Sequence, residues 1–461
     1  MTPPTDLSHE FAEFIINTRF EDLSPDAVDG AKKSILDTIG VILAATGVEP
    51  AVKAVNALIT EAGGTPESSL MGFGGRAPAV WAAFHNGAMA HCLDFDDHAP
   101  EGHHPSSSIV PAVFALAERR GGVSGKQLIA AVAAGQDMFL RMRRHVPSRL
   151  DWHLTTVLGV FSAAASAAHV LGLTKEQTIS ALGIAGMQSC GTLELAYGVG
   201  SDLRGMYAGF STKGAVLAAL MAQKGIRGVQ SMFEGKAGLF NVYFDNEYDR
   251  TGMIRDLGQH YHGGEILYKP WPSCGASHGF IHATLELMRE HQLKVADISE
   301  IRVNVGDFQK QLCEPIESRR RPATAADAKF SIPYCVAVAA TNGSAKLTDF
   351  IGDALADPQV LATAEKITAV VDAQFNWAGK LPKGRLDIIT HDGRSFSRVG
   401  DNVPGDIECP MDWTYLSAKF SESAALAAVK PASDGVMSAI EMIQHLDRID
   451  DATLVLRVLE H

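Results

Sequence analysis

The sequence predicts a mainly α-helical protein that carries a smaller α+β region. Up to about residue 260, apolar residues recur at helical spacing in one segment after another. Between about 266 and 398, short runs of alternating apolar and polar residues separate the helical segments. From Met411 the helical pattern returns. We therefore predict an all-helical domain of residues 1–265 and 399–461, and an α+β domain of residues 266–398.

In the helical domain, the first long helix is predicted to follow Ser24-Pro25, a favourable N-cap followed by a proline. Apolar residues from Val28 to Leu43 keep a helical period, and Gly47 is a plausible end. Several later segments are rich in Ala and Gly, which allows helices to pack closely. These helices are predicted over 50–62, 78–93, 107–119, 125–144, 154–171, 175–188 and 203–224.

In the α+β domain, strands are predicted over 301–305, 367–371 and 385–390. The last strand is followed by His391-Asp-Gly-Arg, which is a turn sequence. Helical pieces are predicted over 279–291, 330–341 and 345–351. Helices that alternate with a few strands in this way indicate an α+β arrangement.

Composition narrows the class of protein. The chain has 461 residues, is 46% hydrophobic and has a formal net charge of −13, which disfavours a broad nucleic-acid or membrane-binding surface. Its start lacks the basic stretch and apolar core of a signal peptide. The six cysteines form no CxxC pair. We expect a soluble, cytoplasmic protein with reduced cysteines.

The densest polar cluster lies between His91 and Pro105, where four histidines and four acidic residues fall within fifteen positions. A solvated loop would account for many such segments, but Asp94, Asp96 and Asp97 bring together like charges that need partners or a function. The cluster has neither HExxH nor a cysteine pair, so we expect no metal. A histidine that an aspartate orients can perform acid–base catalysis without one.

Three other positions are candidates for chemistry. His153 precedes a long Ala-rich helix, where it is either a capping residue or a site residue. Arg204 begins another helix, where it is either a surface charge or an anion ligand. The stiff segment from Tyr268 to His278, with Lys269, has the composition of a site wall.

Two competing motifs are weak. Gly275-Ala-Ser-His-Gly279 matches the GxSxG pattern of serine hydrolases, but Pro270-Trp-Pro272 replaces the strand that should precede it. Gly72-Phe-Gly-Gly-Arg-Ala77 matches a loose dinucleotide-binding pattern, but a surface turn is the better interpretation. Nucleophilic Ser277 chemistry and nucleotide-dependent chemistry are therefore disfavoured.

The segment Phe84-His-Asn-Gly-Ala-Met-Ala-His-Cys-Leu-Asp-Phe-Asp-Asp97, with His104-Pro105 after it, resembles a characteristic segment of the MmgE/PrpD family. The resemblance extends along nearly the whole chain. It includes residues 31–40, 233–238, 268–274, 328–334 and 419–420.

This resemblance implies a large helical domain built from both chain ends, a smaller α+β lid, a homodimer and a site without metal or organic cofactor. Members of the family include 2-methylcitrate dehydratase, cis-aconitate decarboxylase and iminodisuccinate epimerase. Carried over by position, the family's catalytic residues fall on Asp94, His104, His153, Lys269 and Tyr334.

Two positions depart from the pattern. His98 replaces a threonine and Arg204 replaces a lysine, and we expect both to bind substrate. Because arginine stays charged, Arg204 can hold a carboxylate but cannot transfer a proton. We also expect Arg204 and Lys269 to grip the carboxylates of one substrate.

The sequence thus favours a lyase that acts on a small di- or tricarboxylate by general acid–base catalysis, with a dehydratase of the 2-methylcitrate type first. The alternatives are an epimerase of an α-substituted dicarboxylate such as iminodisuccinate, a decarboxylase of the cis-aconitate type, and a catalytically silent carboxylate-binding relative.

Overall fold

A computed structural model describes residues 5–149, 151–197, 201–378 and 381–460. The chain forms two compact units. The helical unit comprises residues up to 99, residues 103–266 and residues from 412 onward, and the mixed unit comprises residues 100–102 and 267–411. The predicted fold class, mainly α with a smaller α+β part, is confirmed.

The mixed unit ends at Met411 rather than at the predicted residue 398. Residues 400–411 return to this unit instead of leaving it. Gly400 packs against Gly279 so closely that an added Cβ would lie 2.5 Å from the Cα of Gly279. Gly405 likewise lies against the main chain of Tyr268. The sequence between the last strand and Met411 has no periodicity that would reveal this packing.

The helical unit consists of long helices whose ends have recognisable capping residues. Ser24 accepts a hydrogen bond from the N–H of Ala27 at the start of the second helix, and Ser124 and Thr174 form capping boxes at two later ones. The helices of eight or more residues are Leu7–Asn17, Pro25–Val48, Pro50–Ala62, Ala79–His91, Ser106–Arg120, Gly125–Arg144, Leu154–Leu171, Lys175–Ala185, Leu203–Gln223, Trp413–Ala425 and Ser433–Gln444.

The shorter segments of the helical unit connect these helices. The α-helical ones are Glu194–Tyr197, Leu239–Phe244, Arg250–Ile254 and Leu454–Arg457. Residues 70–75 form the turn that joins the two antiparallel strands of a hairpin, β1 (Ser68–Ser69) and β2 (Arg76–Ala77). Gly72, Gly74 and Gly75 all have positive φ there. The glycine-rich segment is therefore a turn, as predicted.

The helix Leu154–Leu171 lies in the core of the helical unit. It has the length and hydropathy of a membrane span, but 89% of it is buried inside the protein. His169, near its C-terminal end, is partly exposed. These features identify it as a core helix of a globular protein, since a helix that is apolar on all sides is buried.

Small residues bring the helices Ala79–His91 and Leu203–Gln223 into close contact. A Cβ added at Gly209 would lie 2.7 Å from the carbonyl oxygen of Phe84, and one added at Gly205 would lie 2.8 Å from the Cα of Cys92. Gly87 faces Thr212 at a similar distance. Side chains that flank these glycines are consequently held next to the end of the first helix.

The mixed unit contains a four-stranded sheet with helices packed on it. The strands are β3 (Ile298–Val305), β4 (Ile367–Val371), β5 (Arg385–Thr390) and β6 (Ser395–Val399), in the order β4-β3-β5-β6. β3 and β4 are parallel, whereas β5 is antiparallel to both β3 and β6. The α-helices of this unit are Gly275–Glu290, Asp307–Lys310, Ile316–Arg320, Ala325–Lys329, Ile332–Asn342 and Pro358–Ala364.

Alternation along β5 explains which face of the sheet is buried. Leu386 and Ile388 are completely buried, and they belong to one apolar cluster with Phe280 and Val336 of the two longest helices. The intervening residues of β5 are only partly buried. This pattern, apolar side chains inward and polar side chains outward, is what a sheet covered on one face requires.

Candidate active site

The site begins at a turn that closes the helix Ala79–His91. Asp94 has a positive φ of 50°, and its main-chain N–H donates to the carbonyl of His91 at 2.8 Å. Aspartate is among the residues that tolerate this left-handed conformation. The turn reverses the chain, so that Asp96 returns to the side chain of His91, with 2.8 Å between the carboxylate and Nδ1.

The imidazole of His104 is partly accessible to solvent, with 14% of its side chain exposed. Its Nδ1 lies 2.7 Å from the main-chain carbonyl of Asp97. Because a carbonyl oxygen can only accept a hydrogen bond, Nδ1 must carry the proton. Nε2 of the neutral ring is then the unprotonated nitrogen and is able to take up a proton.

Asp96 connects the imidazoles of His91 and His104. One carboxylate oxygen accepts from His91 Nδ1 at 2.8 Å, and the other lies 3.3 Å from His104 Nδ1. Burial would raise the pKa of Asp96, but the two imidazoles hold it well below its usual range. Asp96 therefore remains ionised and can stabilise an imidazolium that forms beside it.

Tyr207 completes the group from the helix Leu203–Gln223. Its hydroxyl lies 2.7 Å from Nε2 of His91. Burial, and then the charges of Asp96 and Asp94, raise the pKa of Tyr207 well above its usual range. Tyr207 accordingly stays protonated and donates to His91, whose Nδ1–H points to Asp96.

His153 lies against Tyr207, with 4.2 Å between the ring centroids. It is the N-cap residue of the helix Leu154–Leu171, which begins where the sequence predicts. Burial, followed by the charges of His91, His104 and Arg204, lowers the pKa of His153 to about 3. Its Nδ1 is buried and has no hydrogen-bond partner among the residues that the structure describes. A neutral imidazole with an uncommitted nitrogen is suited to contact a substrate.

Arg204 is the second residue of the helix Leu203–Gln223, as the sequence predicts. It is half-buried, and its charge lowers the pKa of both His153 and Tyr207, after burial and other charges in each case. The charge of Arg204 therefore acts on both of these side chains.

Asp94 lies near the imidazoles of both His104 and His91. Asp94 Oδ1 is 3.9 Å from His104 Nε2 and 4.0 Å from His91 Nε2, which is too long for a hydrogen bond. The tautomer of His104 is fixed instead at Nδ1, by Asp97 and Asp96. Asp94 lies at the opposite nitrogen, where a negative charge stabilises a proton that arrives at Nε2.

His98 is buried and donates from Nδ1 to the carbonyl of Ala99 at 2.9 Å. The centroids of its ring and the His104 ring are 6.3 Å apart. His98 is thus a neighbour of the group, and its predicted contact with substrate stays a prediction.

A buried ion pair and several hydrogen bonds hold the turn after His91 in place. Lys419 Nζ contacts Asp37 at 2.6 Å and the carbonyl of Phe95 at 2.7 Å. Asp97 accepts a 2.6 Å hydrogen bond from Ser34 and a longer one from the N–H of Ser106, the first residue of the helix Ser106–Arg120. Asp97 thus satisfies a main-chain N–H at the start of that helix. Residues near both ends of the chain, Ser34 and Lys419, therefore contact this turn.

The remaining predicted residues lie in the mixed unit. Lys269 is buried in the irregular segment that precedes the helix Gly275–Glu290. Tyr334 is completely buried, and its hydroxyl lies 3.1 Å from each of the carbonyls of Asp349 and Ala354. These hydrogen bonds engage the Tyr334 hydroxyl within the mixed unit, and its expected catalytic role stays a prediction from the resemblance.

The GxSxG segment does not form a nucleophile elbow. Ser277 lies in the first turn of the helix Gly275–Glu290 and donates to the carbonyl of Cys274 at 2.7 Å. No strand precedes it in the described part of the segment.

Two groups of described residues have donor atoms close enough together to hold a metal ion: His91, Asp96 and His104, and the more exposed His260, His262 and Glu265. In the first group, Nδ1 of His104 carries a proton and donates a hydrogen bond to the main-chain carbonyl of Asp97. In the second, Arg144 lies 2.6 Å from Glu265 and 3.0 Å from His262, so a cation already occupies the position. Hydrogen bonding accounts for both groups.

Sequence reasoning overlooked His91, Asp96 and Tyr207 as individual members of the site. His91 and Asp96 stood in the polar cluster, five residues apart, but nothing in their spacing distinguishes them from their neighbours. Tyr207 reaches the site only because glycines let two helices approach, and no local signal in the sequence marks it.

Two family models match most of the chain. The sequence model of the MmgE/PrpD N-terminal domain matches residues 9–251, and that of the MmgE/PrpD C-terminal domain matches residues 271–440. The cis-aconitate decarboxylase of Aspergillus terreus is 27% identical, over 98% of this chain and 95% of that protein.

Two other relatives are more distant. The cis-aconitate decarboxylase of Homo sapiens is 23% identical, over 98% of this chain and 94% of its own length. The 2-methylcitrate dehydratase of Salmonella typhimurium is 26% identical, over 87% of this chain and 85% of its own length. Since the two domain matches together cover most of its length, the chain belongs to the MmgE/PrpD family.

Proposed function

We propose that this protein is a lyase that acts on a small di- or tricarboxylate by moving a proton at a carbon next to a carboxylate. The observation that carries the proposal is the fixed tautomer of His104, whose Nδ1–H is held by Asp97 while Nε2 faces Asp94. The names of the relatives, which are decarboxylases and dehydratases, support a lyase.

In a dehydration, His104 Nε2 would take the proton from the carbon next to a carboxylate. The C–H bond and the C–O bond to the hydroxyl group break, a C=C bond forms, and the proton leaves with the hydroxide as water. The imidazolium that forms meanwhile is stabilised by Asp96 on one side and Asp94 on the other. We propose this dehydration, of the 2-methylcitrate type, as the first candidate.

Decarboxylation of the cis-aconitate type is the second candidate, because decarboxylases match this chain over the greater length. Here the C–C bond to a carboxylate breaks, carbon dioxide leaves, and the electron pair on carbon receives a proton. His104 would have to begin as the imidazolium. Dehydration therefore needs an unprotonated His104 at the start of the reaction, and decarboxylation needs a protonated one.

Arg204 is the proposed anchor for a substrate carboxylate, because a guanidinium can hold a carboxylate through two parallel hydrogen bonds. His153 would accept or donate one further hydrogen bond through its uncommitted nitrogen. These groups, with His104, belong to the helical unit, and this unit alone carries the proposal. The role of Lys269 stays a prediction from the resemblance.

The test is a panel of polycarboxylates, including 2-methylcitrate, cis-aconitate and an iminodisuccinate, incubated with the protein in D₂O and followed by NMR. Loss of water identifies a dehydratase, and loss of carbon dioxide identifies a decarboxylase. Deuterium at Cα without net conversion would identify an epimerase and contradict the lyase. Binding of polycarboxylates without turnover or exchange would identify a silent relative.

We further propose that the protein is a cytoplasmic homodimer that uses no metal or organic cofactor. Support comes from the family and from the hydrogen bonds that already engage the clustered histidines. Sedimentation equilibrium tests the dimer: a single species of monomer mass at micromolar concentration would contradict it.

A further inference from the structure

A series of contacts leads from Tyr207 through His91 and Asp96 to the ring of His104. Beside it, the N–H of His104 donates to Thr155 Oγ1 at 3.3 Å, and, against the larger effect of burial, the Thr155 side chain lowers the pKa of Tyr207. Tyr207 in turn donates to His91 Nε2 at 2.7 Å. The N–H on Nδ1 of His91 donates to Asp96, which lies 3.3 Å from the ring nitrogen of His104.

The protons in this set can point in only one direction. Asp96 is ionised and can only accept, so His91 must carry its proton on Nδ1. His91 Nε2 is then an acceptor, and the hydrogen of Tyr207 has to point to it.

We propose that Tyr207 is a positioning residue of the site, which holds His91 in the Nδ1–H tautomer and thereby fixes Asp96 beside His104. The proposal rests on the proposed function of that site. The ring of Tyr207 also packs against two imidazoles. Its centroid lies 4.5 Å from that of His91 and 4.2 Å from that of His153. Its hydroxyl group and its ring thus have separable roles.

The hydrogen bond between the Tyr207 hydroxyl and His91 is shielded from water. Tyr207 is 5% exposed and His91 is 5% exposed, so water cannot readily replace a hydrogen bond lost between them. Without the hydroxyl, His91 Nε2 has lost its donor, and the ring is free to tilt away from Asp96. Asp96 would then hold the His104 ring less firmly. A catalytic group displaced by about 1 Å loses on the order of 100-fold in rate.

Tyr207→Phe tests the hydroxyl group specifically, because it keeps the ring and removes only the hydroxyl. With the substrate that the panel identifies, kcat should fall by roughly 10- to 100-fold while KM stays within about twofold, because Tyr207 lies behind the imidazoles. Tyr261→Phe is the matched control: Tyr261 is equally buried in the helical unit, and its hydroxyl reaches Thr18 instead. A folded Tyr207→Phe protein with unchanged kcat would overturn the proposal.

The second measurement does not depend on activity, so that it separates failure of this proposal from failure of the proposed function. Histidine ring ¹⁵N NMR of the wild-type protein at neutral pH should show Nδ1–H tautomers for both His91 and His104. The unprotonated Nε2 resonance of His91 should shift in Tyr207→Phe and stay unchanged in Tyr261→Phe. An Nε2–H tautomer of His91 in the wild-type protein would overturn the assignment even if the enzyme is an active lyase. The expected tautomers, found in a protein that converts no polycarboxylate, would leave the hydrogen-bonded set established and the function wrong.

Discussion

Replacing Lys419 by methionine should destabilise the helical unit strongly. The ammonium group of Lys419 is 2.6 Å from Asp37, and the side chains of the two residues are 5% and 0% exposed. It also contacts the carbonyl of Phe95 at 2.7 Å and lies 3.8 Å from the centroid of the Phe95 ring. Methionine keeps most of the volume but leaves a buried carboxylate without its cation. Removing one partner of such a pair costs about 3–5 kcal/mol.

The assay is urea unfolding followed by circular dichroism, for Lys419→Met and for two companion variants. Lys175→Met is the control, because Lys175 forms an equally short but exposed pair with Glu13 and should cost less than about 1 kcal/mol. The double variant Lys419→Met with Asp37→Leu should recover much of the loss, since it leaves no buried charge.

The loss should also depend on pH. Burial raises the pKa of Asp37, against the lowering effect of Lys419. Without Lys419 the carboxyl group takes up a proton more readily in the folded state. A folded pKa above the unfolded value means that the deficit shrinks as pH falls and grows as pH rises. The reasoning is refuted if Lys419→Met costs no more than Lys175→Met, or if the double variant is no more stable than Lys419→Met alone.

Three further predictions concern the site. Burial raises the pKa of Asp97 to about 7, so between about pH 4 and 7 the native carboxyl group holds a proton that the unfolded one has lost. This group should therefore lower the free energy of unfolding by about 1.4 kcal/mol for each unit of rising pH. Urea unfolding of Asp97→Asn at several pH values should show a weaker dependence of that free energy on pH. An unchanged dependence would count against the raised pKa of the buried Asp97 carboxyl group. Arg204→Lys should raise KM more than it lowers kcat, because lysine cannot form the bidentate contact, whereas Arg204→Ala should impair both. If steady-state kinetics gives the wild-type KM for both variants, Arg204 lies outside the site. Dialysis against EDTA should leave activity unchanged, and stoichiometric zinc or iron whose removal abolishes activity and whose return restores it would contradict the metal-free mechanism.

The helical periodicity was sufficient to predict most of the architecture. The helix Leu154–Leu171 and the strands β4 and β5 begin and end where the pattern predicts, because apolar spacing and clear end signals coincide there. β6 was not predicted: Ser395–Val399 is a polar edge strand that owes its existence to pairing with β5. Edge strands depend on tertiary context more than on their own residues.

The candidate site was predictable only in part. Asp94 and His104 were recognised from a characteristic segment, and the structure places Oδ1 of Asp94 3.9 Å from Nε2 of His104. The direction of the hydrogen bonds was not predictable, because it depends on which main-chain carbonyl faces which ring nitrogen. Tyr207 became visible only through the approach of two helices at Gly205 and Gly209.

The central claim is that His104 moves the proton, and the most direct measurement is turnover by His104→Ala in D₂O with the substrate that the panel identifies. The account predicts that kcat falls by about 10²–10⁴-fold and that exchange of the substrate's α-proton is lost, while circular dichroism is unchanged. His445→Ala, which changes an exposed histidine of the same unit, should retain wild-type kinetics. A folded His104→Ala protein with near-normal kcat and deuterium incorporation would contradict the account.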